Sequence, residues 1–184
     1  GGLGHAVSDE TTGSRVPLSS GEITAAEIYD IVKGKQGAAG ELCGVILPDA
    51  VAGSLAANTA VGVFGTLSEP VSGEALPMAF RQEVKRGPAT ILATLDGGTP
   101  REYSIEIERV NLLGMNGSKG MVIRITDPAL LEAAGGIVRG MSGSPIIQDG
   151  RLAGAVTHVL INDPERGYAV FAQSMVEEME RACG

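Results

Sequence analysis

The stretch Gly140-Met-Ser-Gly-Ser-Pro-Ile-Ile-Gln-Asp-Gly-Arg-Leu-Ala-Gly-Ala-Val-Thr-His158 decides the fold prediction. Two apolar runs flank Asp149-Gly150, and an Asp-Gly pair in that position is a strong β-hairpin signal. The first residues are glycine and serine, which are typical of a turn. The stretch therefore predicts a turn followed by two antiparallel strands.

Strand-like runs continue in both directions from this hairpin. Ile105 and Ile107 alternate with Glu106 and Glu108, which is the period of a half-buried strand. Other runs of β-branched and apolar residues lie between glycines and prolines. The predicted strands cover residues 42–47, 60–67, 89–95, 103–113, 121–126, 145–148, 152–161 and 168–171. Many short strands at fairly regular spacing predict a mainly β barrel or sandwich rather than a βαβ sheet.

Helices are predicted at two places. Asp127-Pro128 before 129–134 resembles an N-cap and a first-turn proline, and Gly135 ends that short helix. Residues 172–182 form an amphipathic C-terminal helix with apolar residues on one face. Residues 24–32 fit a helix or a strand equally well.

Composition excludes several classes of protein. The 184 residues suit one domain or two closely joined half-domains, and 27 glycines indicate many turns. A net charge of −8 without a basic cluster argues against nucleic-acid binding. No apolar run approaches the roughly 20 residues that span a bilayer. Because the sequence begins with Gly rather than Met, we interpret it as a processed form or an excised fragment.

The two cysteines, Cys43 and Cys183, are too few for a disulfide framework and lack metal-site spacing. We expect Cys43 to be buried in a strand, and a Cys43–Cys183 bridge is the alternative. No metal or organic cofactor is predicted.

Ser142 is the candidate nucleophile. A serine hydroxyl needs a neighbouring base and donors aimed at the developing oxyanion. Gly140 leaves the backbone free to turn its amide beside that of Ser142, and Gly143 lets a substrate approach closely. We therefore predict an oxyanion hole made by the Gly140 and Ser142 amides. The alternative is an ordinary turn, and Ser144 rules out the G-x-S-x-G elbow.

Two histidines leave two candidates for the general base. His5 lies among small residues, which suits a crowded catalytic centre, although an exposed position near a chain end is the alternative. His158 follows Ser142 by 16 positions, on a strand that resembles the substrate-binding strand of chymotrypsin-like proteases. Thr157 and His158 are accordingly predicted to contact substrate, and a histidine satisfied within a strand is the alternative for His158.

The sequence resembles a known family, the SpoIVB peptidases (stage IV sporulation protein B of endospore-forming bacteria). The similarity extends over essentially all 184 residues. It is carried by Leu3-Gly-His5, Gly40-Glu-Leu42, Ile125-Thr-Asp-Pro128, Gly135-Gly-Ile-Val138, Gly140-Met-Ser-Gly-Ser-Pro-Ile-Ile147, Gly154-Ala-Val-Thr-His158, Asn162-Asp-Pro164 and Gly167-Tyr168.

The resemblance implies a chymotrypsin-like serine endopeptidase in which residues 1–184 form two β-barrel-like halves. The family acts outside the cytoplasm, between the mother-cell and forespore membranes. Its substrate is a membrane-embedded regulator, whose cleavage releases an intramembrane protease that activates a sporulation sigma factor. Self-cleavage is also expected. The PDZ domain and membrane anchor that precede the peptidase in the family are absent from these 184 residues.

The family motif implies nucleophile Ser142, base His5 and acid Asp127. Asp49 is the alternative acid, because it lies 44 residues after His5 and 93 before Ser142, as in the chymotrypsin-like order. Asp127 lies only 15 residues before Ser142 and also resembles a helix cap. Two other functions remain open at this stage: a catalytically weak binding or signalling module, and an esterase acting on small esters.

Overall fold

The computed structural model describes residues 1–73, 75–112 and 117–183, and its mainly β architecture confirms the predicted fold class. Nine strands and two helices follow one another in these residues. They are β1 (Glu22–Val32), β2 (Glu41–Thr59), β3 (Gly62–Leu67), β4 (Gly87–Ala93), β5 (Arg101–Val110), β6 (Met121–Ile125), α1 (Pro128–Ala134), β7 (Pro145–Gln148), β8 (Arg151–Leu160), β9 (Asp163–Phe171) and α2 (Ala172–Cys183).

The second half of the chain forms a closed antiparallel barrel in the order β4-β5-β6-β9-β8-β7. Alternate residues of its strands point inward, so that Ile105 and Ile107 of β5 pack beside Ile123 and Ile125 of β6, all at most 2% exposed. The predicted hairpin at Asp149-Gly150 joins β7 to β8, and both turn residues have positive φ, as a type I′ turn requires. Closure leaves this sheet without an unpaired edge.

The first half is built differently. The order β1-β2-β3 is an open three-stranded sheet, and the ambiguous residues 24–32 belong to strand β1. Only Val61 and Phe64 of the described residues before position 74 are buried hydrophobic side chains. The predicted first barrel is observed as an open sheet, and large apolar side chains of its strands, such as Tyr29, Val45 and Ile46, are exposed. A small cluster of Val61 and Phe64 with Ala155 and Val170 attaches it to the barrel.

Both predicted helices are present. Asp127 caps α1 and Gly135, with φ 73°, ends it. The apolar residue Met175 of α2 packs against the cluster around Phe64. None of the helices in the described residues is long and apolar enough to cross a membrane. Cys43 is a partly buried free thiol in β2, and the side chain of Cys183 lies outside the described part.

Candidate active site

Two consecutive tight turns lie between α1 and β7, and Ser142 belongs to the second. The Met141 amide donates to the Val138 carbonyl at 3.2 Å, and the Ser144 amide donates to the Met141 carbonyl at 3.0 Å. Gly140 and Gly143 occupy the third position of these turns with φ of 96° and 90°. A type II turn needs positive φ there, which explains both glycines. Met141 between them is buried in the barrel core and anchors the loop.

The turn leaves two amides unused beside the serine. Among the described residues, neither the Gly140 nor the Ser142 amide donates a hydrogen bond, whereas the Gly143 amide donates to the Val156 carbonyl at 2.8 Å. Unused amides flanking a nucleophile are the donors that an oxyanion hole requires. The oxyanion role of Gly140 and Ser142 stays a prediction that is consistent with this backbone.

The N-terminal segment carries His5 to the barrel. Gly2 pairs with Val63 of β3 through two backbone hydrogen bonds of 2.8 and 3.1 Å. The Gly4 amide then donates to the Gly2 carbonyl across Leu3, whose φ is 65°. A γ-turn with a positive φ at leucine is a rare and strained conformation. Local strain of this kind directly precedes His5.

His5 and Ser142 are in hydrogen-bond contact, with 2.9 Å between His5 Nε2 and Ser142 Oγ. On the other side of the ring, His5 Nδ1 lies 2.8 Å from the Ala6 carbonyl oxygen. A carbonyl oxygen only accepts, so the proton of the neutral imidazole is on Nδ1. Nε2 is therefore free to accept the serine proton, which is the tautomer that a general base needs.

Ser142 has a second acceptor within reach. Its Oγ also lies 3.0 Å from the Thr157 carbonyl oxygen, while Thr157 Oγ1 donates to the Ser118 carbonyl at 2.8 Å. A hydroxyl has one proton, so Thr157 and His5 compete for it. Thr157 itself is buried, so this carbonyl is held firmly in β8.

His158 lies beside His5 rather than against the serine. The two ring centroids are 4.8 Å apart and the rings are tilted by 40°. Although His158 is exposed overall, the neighbouring protein removes part of the hydration of its side chain. This loss of hydration, followed by the positive charges of His5 and Lys119, lowers the pKa of His158 to about 4. His158 is therefore neutral at pH 7.

A pocket of about 290 Å³ opens between the turn that contains Ser142 and strand β8. His5, Ser142 and His158 lie on its wall. The remaining lining is mostly apolar, Arg139 adds a cationic side chain, and no acidic residue of the described chain contributes to it. These apolar residues are Ala39, Ile137, Val138, Val156, Val159 and Ile161.

The structure does not bring Asp127 to His5. Asp127 Oδ1 accepts from the Ala129 and Leu130 amides at 2.9 and 3.2 Å, and Oδ2 accepts from the Ser104 amide at 3.2 Å. These bonds cap α1 and connect it to β5. Both oxygens of the Asp127 carboxylate therefore accept hydrogen bonds from backbone amides. The alternative acid, Asp49, is exposed in β2, and its carboxylate makes no hydrogen bond within the described residues. The Ala6 carbonyl takes the position at Nδ1 that the sequence assigned to a carboxylate.

A comparison with protein-family models identifies the relationship. Residues 1–176 match the model of SpoIVB peptidase S55. The chain belongs to this family. SpoIVB peptidases of this family are serine peptidases, and the present chain is accordingly a serine peptidase, as the sequence predicted. Among the described residues, no cluster of His, Cys, Asp or Glu could hold a metal ion.

Solved structures with similar architecture include the Rv3671c protease of M. tuberculosis. Its active form is 17% identical with a TM-score of 0.47, and the match covers 84% of this chain and 71% of that one. Its inactive form is 15% identical with a TM-score of 0.46, and the match covers 86% and 88%. A search of curated proteins finds no significant match. The family assignment therefore rests on the family model.

Sequence reasoning missed two groups that the structure places around His5. They are the Ala6 carbonyl and the side chain of Asn58, which bonds to Val7. A backbone carbonyl carries no sequence signal. The only hint of Asn58 is an amide side chain within the small-residue run Leu55-Ala-Ala-Asn-Thr59, where its polar atoms need partners.

Proposed function

We propose that this peptidase uses Ser142 as nucleophile and His5 as general base to cleave a membrane-associated regulatory protein in sporulation signalling. The observation that carries the proposal is the contact of 2.9 Å between His5 Nε2 and Ser142 Oγ. The Nδ1 bond to Ala6 supports it, because it holds the imidazole in the tautomer that accepts a proton.

The reaction follows from these positions. Ser142 Oγ forms a bond to the scissile carbonyl carbon while its proton passes to His5 Nε2. The Gly140 and Ser142 amides donate to the oxygen that becomes negative. His5 then gives the proton to the amine as the C–N bond breaks, which leaves an acyl group on Ser142. A water molecule then forms a bond to the acyl carbon while His5 Nε2 takes its proton, and His5 gives that proton to Ser142 Oγ as the bond between Oγ and the acyl group breaks.

Substrate binding prepares the serine for this reaction. Without substrate, the Thr157 carbonyl competes with His5 for the hydroxyl proton of Ser142. A substrate strand lying along β8 would place a backbone amide on Thr157 and occupy that carbonyl. The hydroxyl then has only His5 as its acceptor. Thr157 thus binds substrate and directs the serine proton at the same time.

The pocket beside Ser142 receives the side chain before the scissile bond. Its apolar lining favours an apolar side chain, and Arg139 together with the lack of an acidic residue among the described lining groups disfavours a basic one. His158 forms part of the wall and is neutral, so it adds no positive charge next to the protonated His5 of the transition state. Replacing His158 should alter substrate preference more than it alters the reactivity of the serine.

The biological substrate belongs to the proposal as well. We assign the activity to the space between the mother-cell and forespore membranes, where cleavage of a membrane-embedded regulator releases an intramembrane protease and so activates a sigma factor. Self-cleavage of the chain is part of the same activity. Membership of the SpoIVB peptidase S55 family supports this assignment.

The nucleophile is tested with Ser142→Ala, and Ser144→Ala is the matched control two positions away. We expect Ser142→Ala to lose labelling by a fluorophosphonate probe and several orders of magnitude in peptide cleavage, with an unchanged melting temperature. Ser144→Ala should retain both activities. Labelling that persists in Ser142→Ala would transfer the nucleophile to another residue.

The pathway is tested by fusing residues 1–184 behind the anchor and PDZ domain of a SpoIVB peptidase in an endospore-forming host that lacks its own peptidase domain. Sigma-factor processing and heat-resistant spores should return with the parent and not with Ser142→Ala. If the parent labels with the probe but restores neither, it is a serine peptidase with another substrate.

A further inference from the structure

The side chain of Asn58 in β2 reaches the segment that follows His5. Its Oδ1 accepts a hydrogen bond from the Val7 amide at 2.9 Å. Its Nδ2 donates to the Val7 carbonyl at 2.8 Å and to the Val16 carbonyl at 2.9 Å. Because both carbonyls only accept, the orientation of the amide is determined by its partners. One side chain thus uses its acceptor and both donors on this segment.

The Val7 amide and the Ala6 carbonyl belong to one peptide group. A peptide group is planar, so fixing its N–H also fixes the direction of its C=O. The Ala6 carbonyl accepts from His5 Nδ1 at 2.8 Å. A continuous chain of hydrogen bonds therefore leads from Asn58 through this peptide group and the His5 ring to Ser142.

We propose that Asn58 is a positioning residue for His5, acting through the Ala6–Val7 peptide group. The hydrogen bond at the N–H aligns the peptide and polarises it, which makes the carbonyl a better acceptor. The peptide group then does for His5 what a carboxylate does in a Ser-His-Asp triad: it holds the Nδ1–H tautomer and stabilises the imidazolium. The inference rests on the proposed roles of His5 and Ser142.

The contacts distinguish this role from simple tethering of a loop. The hairpin of residues 7–16 has bonds of its own, including the Val16 amide to the Val7 carbonyl at 3.0 Å and the turn in which Asp9 accepts from the Thr12 amide at 2.8 Å. Asn58 adds the link between the Val7 peptide and β2. Among the described residues, only His5 and Asn58 donate to or accept from the Ala6–Val7 peptide group through a side chain.

Three variants test the inference: Asn58→Ala, Asn58→Asp and the control Ser54→Ala, whose exposed side chain lies on the same strand and makes no hydrogen bond within the described residues. The ring ¹⁵N chemical shifts of His5 report its tautomer, and peptide cleavage gives kcat and KM. In Asn58→Ala, we expect the Nδ1–H tautomer to lose population and kcat to fall by up to about 100-fold, as for a misplaced catalytic group. KM should change little, because Asn58 does not line the pocket.

Asn58→Asp retains an acceptor for the Val7 amide but loses both donor bonds to the Val7 and Val16 carbonyls, so it should restore the tautomer and kcat only in part. Ser54→Ala should match the parent. The inference is overturned if Asn58→Ala keeps the parental tautomer, whatever happens to kcat. A purely structural role of Asn58 could lower kcat but would leave the tautomer of His5 unchanged. It is also overturned if the tautomer shifts while kcat stays unchanged.

A measurement on the parent covers the case in which Asn58→Ala does not fold. NMR couplings across hydrogen bonds should link Val7 N to Asn58 Cγ and His5 Nδ1 to the Ala6 carbonyl carbon, and the absence of either coupling would overturn the inference. Fluorophosphonate labelling of the parent separates the two hypotheses. An unlabelled parent refutes the proposed function, whereas a labelled parent with normal activity in Asn58→Ala refutes only the role of Asn58.

Discussion

The barrel and the N-terminal sheet both contribute to the candidate active site, but they differ greatly in how much buried core stabilises them. The barrel is closed, holds nearly the whole buried core and carries Ser142 with the Thr157 carbonyl. The N-terminal part is an open sheet with two buried hydrophobic side chains among its described residues, and it delivers His5 over a strained turn. Since stability is not uniform across a structure, the proposed base His5 is held by the less well packed part. The turn that contains Ser142 should therefore keep its structure under conditions that displace His5.

The largest expected effect concerns the base itself. His5→Ala should lower peptide cleavage by several orders of magnitude, because Ser142 loses the acceptor of its proton. His158→Ala removes the other histidine and should keep fluorophosphonate labelling while changing substrate preference. The rates of fluorophosphonate labelling of the two folded variants show which histidine activates Ser142. Complete loss of labelling in His158→Ala would make His158 the base, and both the nucleophile and the base would then belong to the barrel.

A pair of isoleucines measures how differently the two parts are stabilised. Ile123 is fully buried in the barrel, and Ile123→Ala should reduce the free energy of unfolding by about 2–5 kcal/mol. Ile46 in β2 is 67% exposed, and Ile46→Ala should cost below about 1 kcal/mol, the span of strand propensities. Urea unfolding followed by circular dichroism checks both. Equal losses would mean that the open sheet is as well packed as the barrel.

Asp127 is the residue through which the barrel could also supply an acid. Asp127→Ala should lower the free energy of unfolding by about 1 kcal/mol through loss of the α1 cap, and Asp127→Asn should lower it less because Asn also caps helices. Peptide cleavage by Asp127→Asn should stay within a few-fold of the parent. A loss of roughly four orders of magnitude would instead make Asp127 the triad acid, and Asp49→Asn is the control.

The smallest effect is the pH dependence contributed by His158. Its pKa of about 4 in the folded protein lies below the unfolded value of 6.5, so between these values the unfolded state binds more protons. Stability should therefore fall as the pH decreases from 6.5 toward 4. In His158→Gln, the melting temperature should fall less between pH 6.5 and 5 than in the parent. Identical slopes would show that the folded environment leaves His158 unperturbed.

Much of the fold followed from local patterns. Alternation in β5, the Asp-Gly turn and the cap at Asp127 depend on neighbours within a few positions, and the structure confirms all three. The N-terminal sheet was harder, because residues 24–32 lack a clear period and become a strand only by pairing with β2. Closure of the barrel depends on the pairing of β4 with β7, two strands that lie far apart in the chain, and no local pattern encodes that pairing.

The sequence by itself determined that Ser142 lies between two glycines that its turns require, and that any histidine base must be His5 or His158. The family resemblance implied His5 as the base, and the tertiary structure brings His5 to Ser142 across 137 positions and places the Ala6 carbonyl rather than Asp127 at Nδ1. It also brought Asn58 to Val7 across 51 positions. Such contacts leave no periodicity or spacing in the sequence, because they arise only when separate strands and segments pack together.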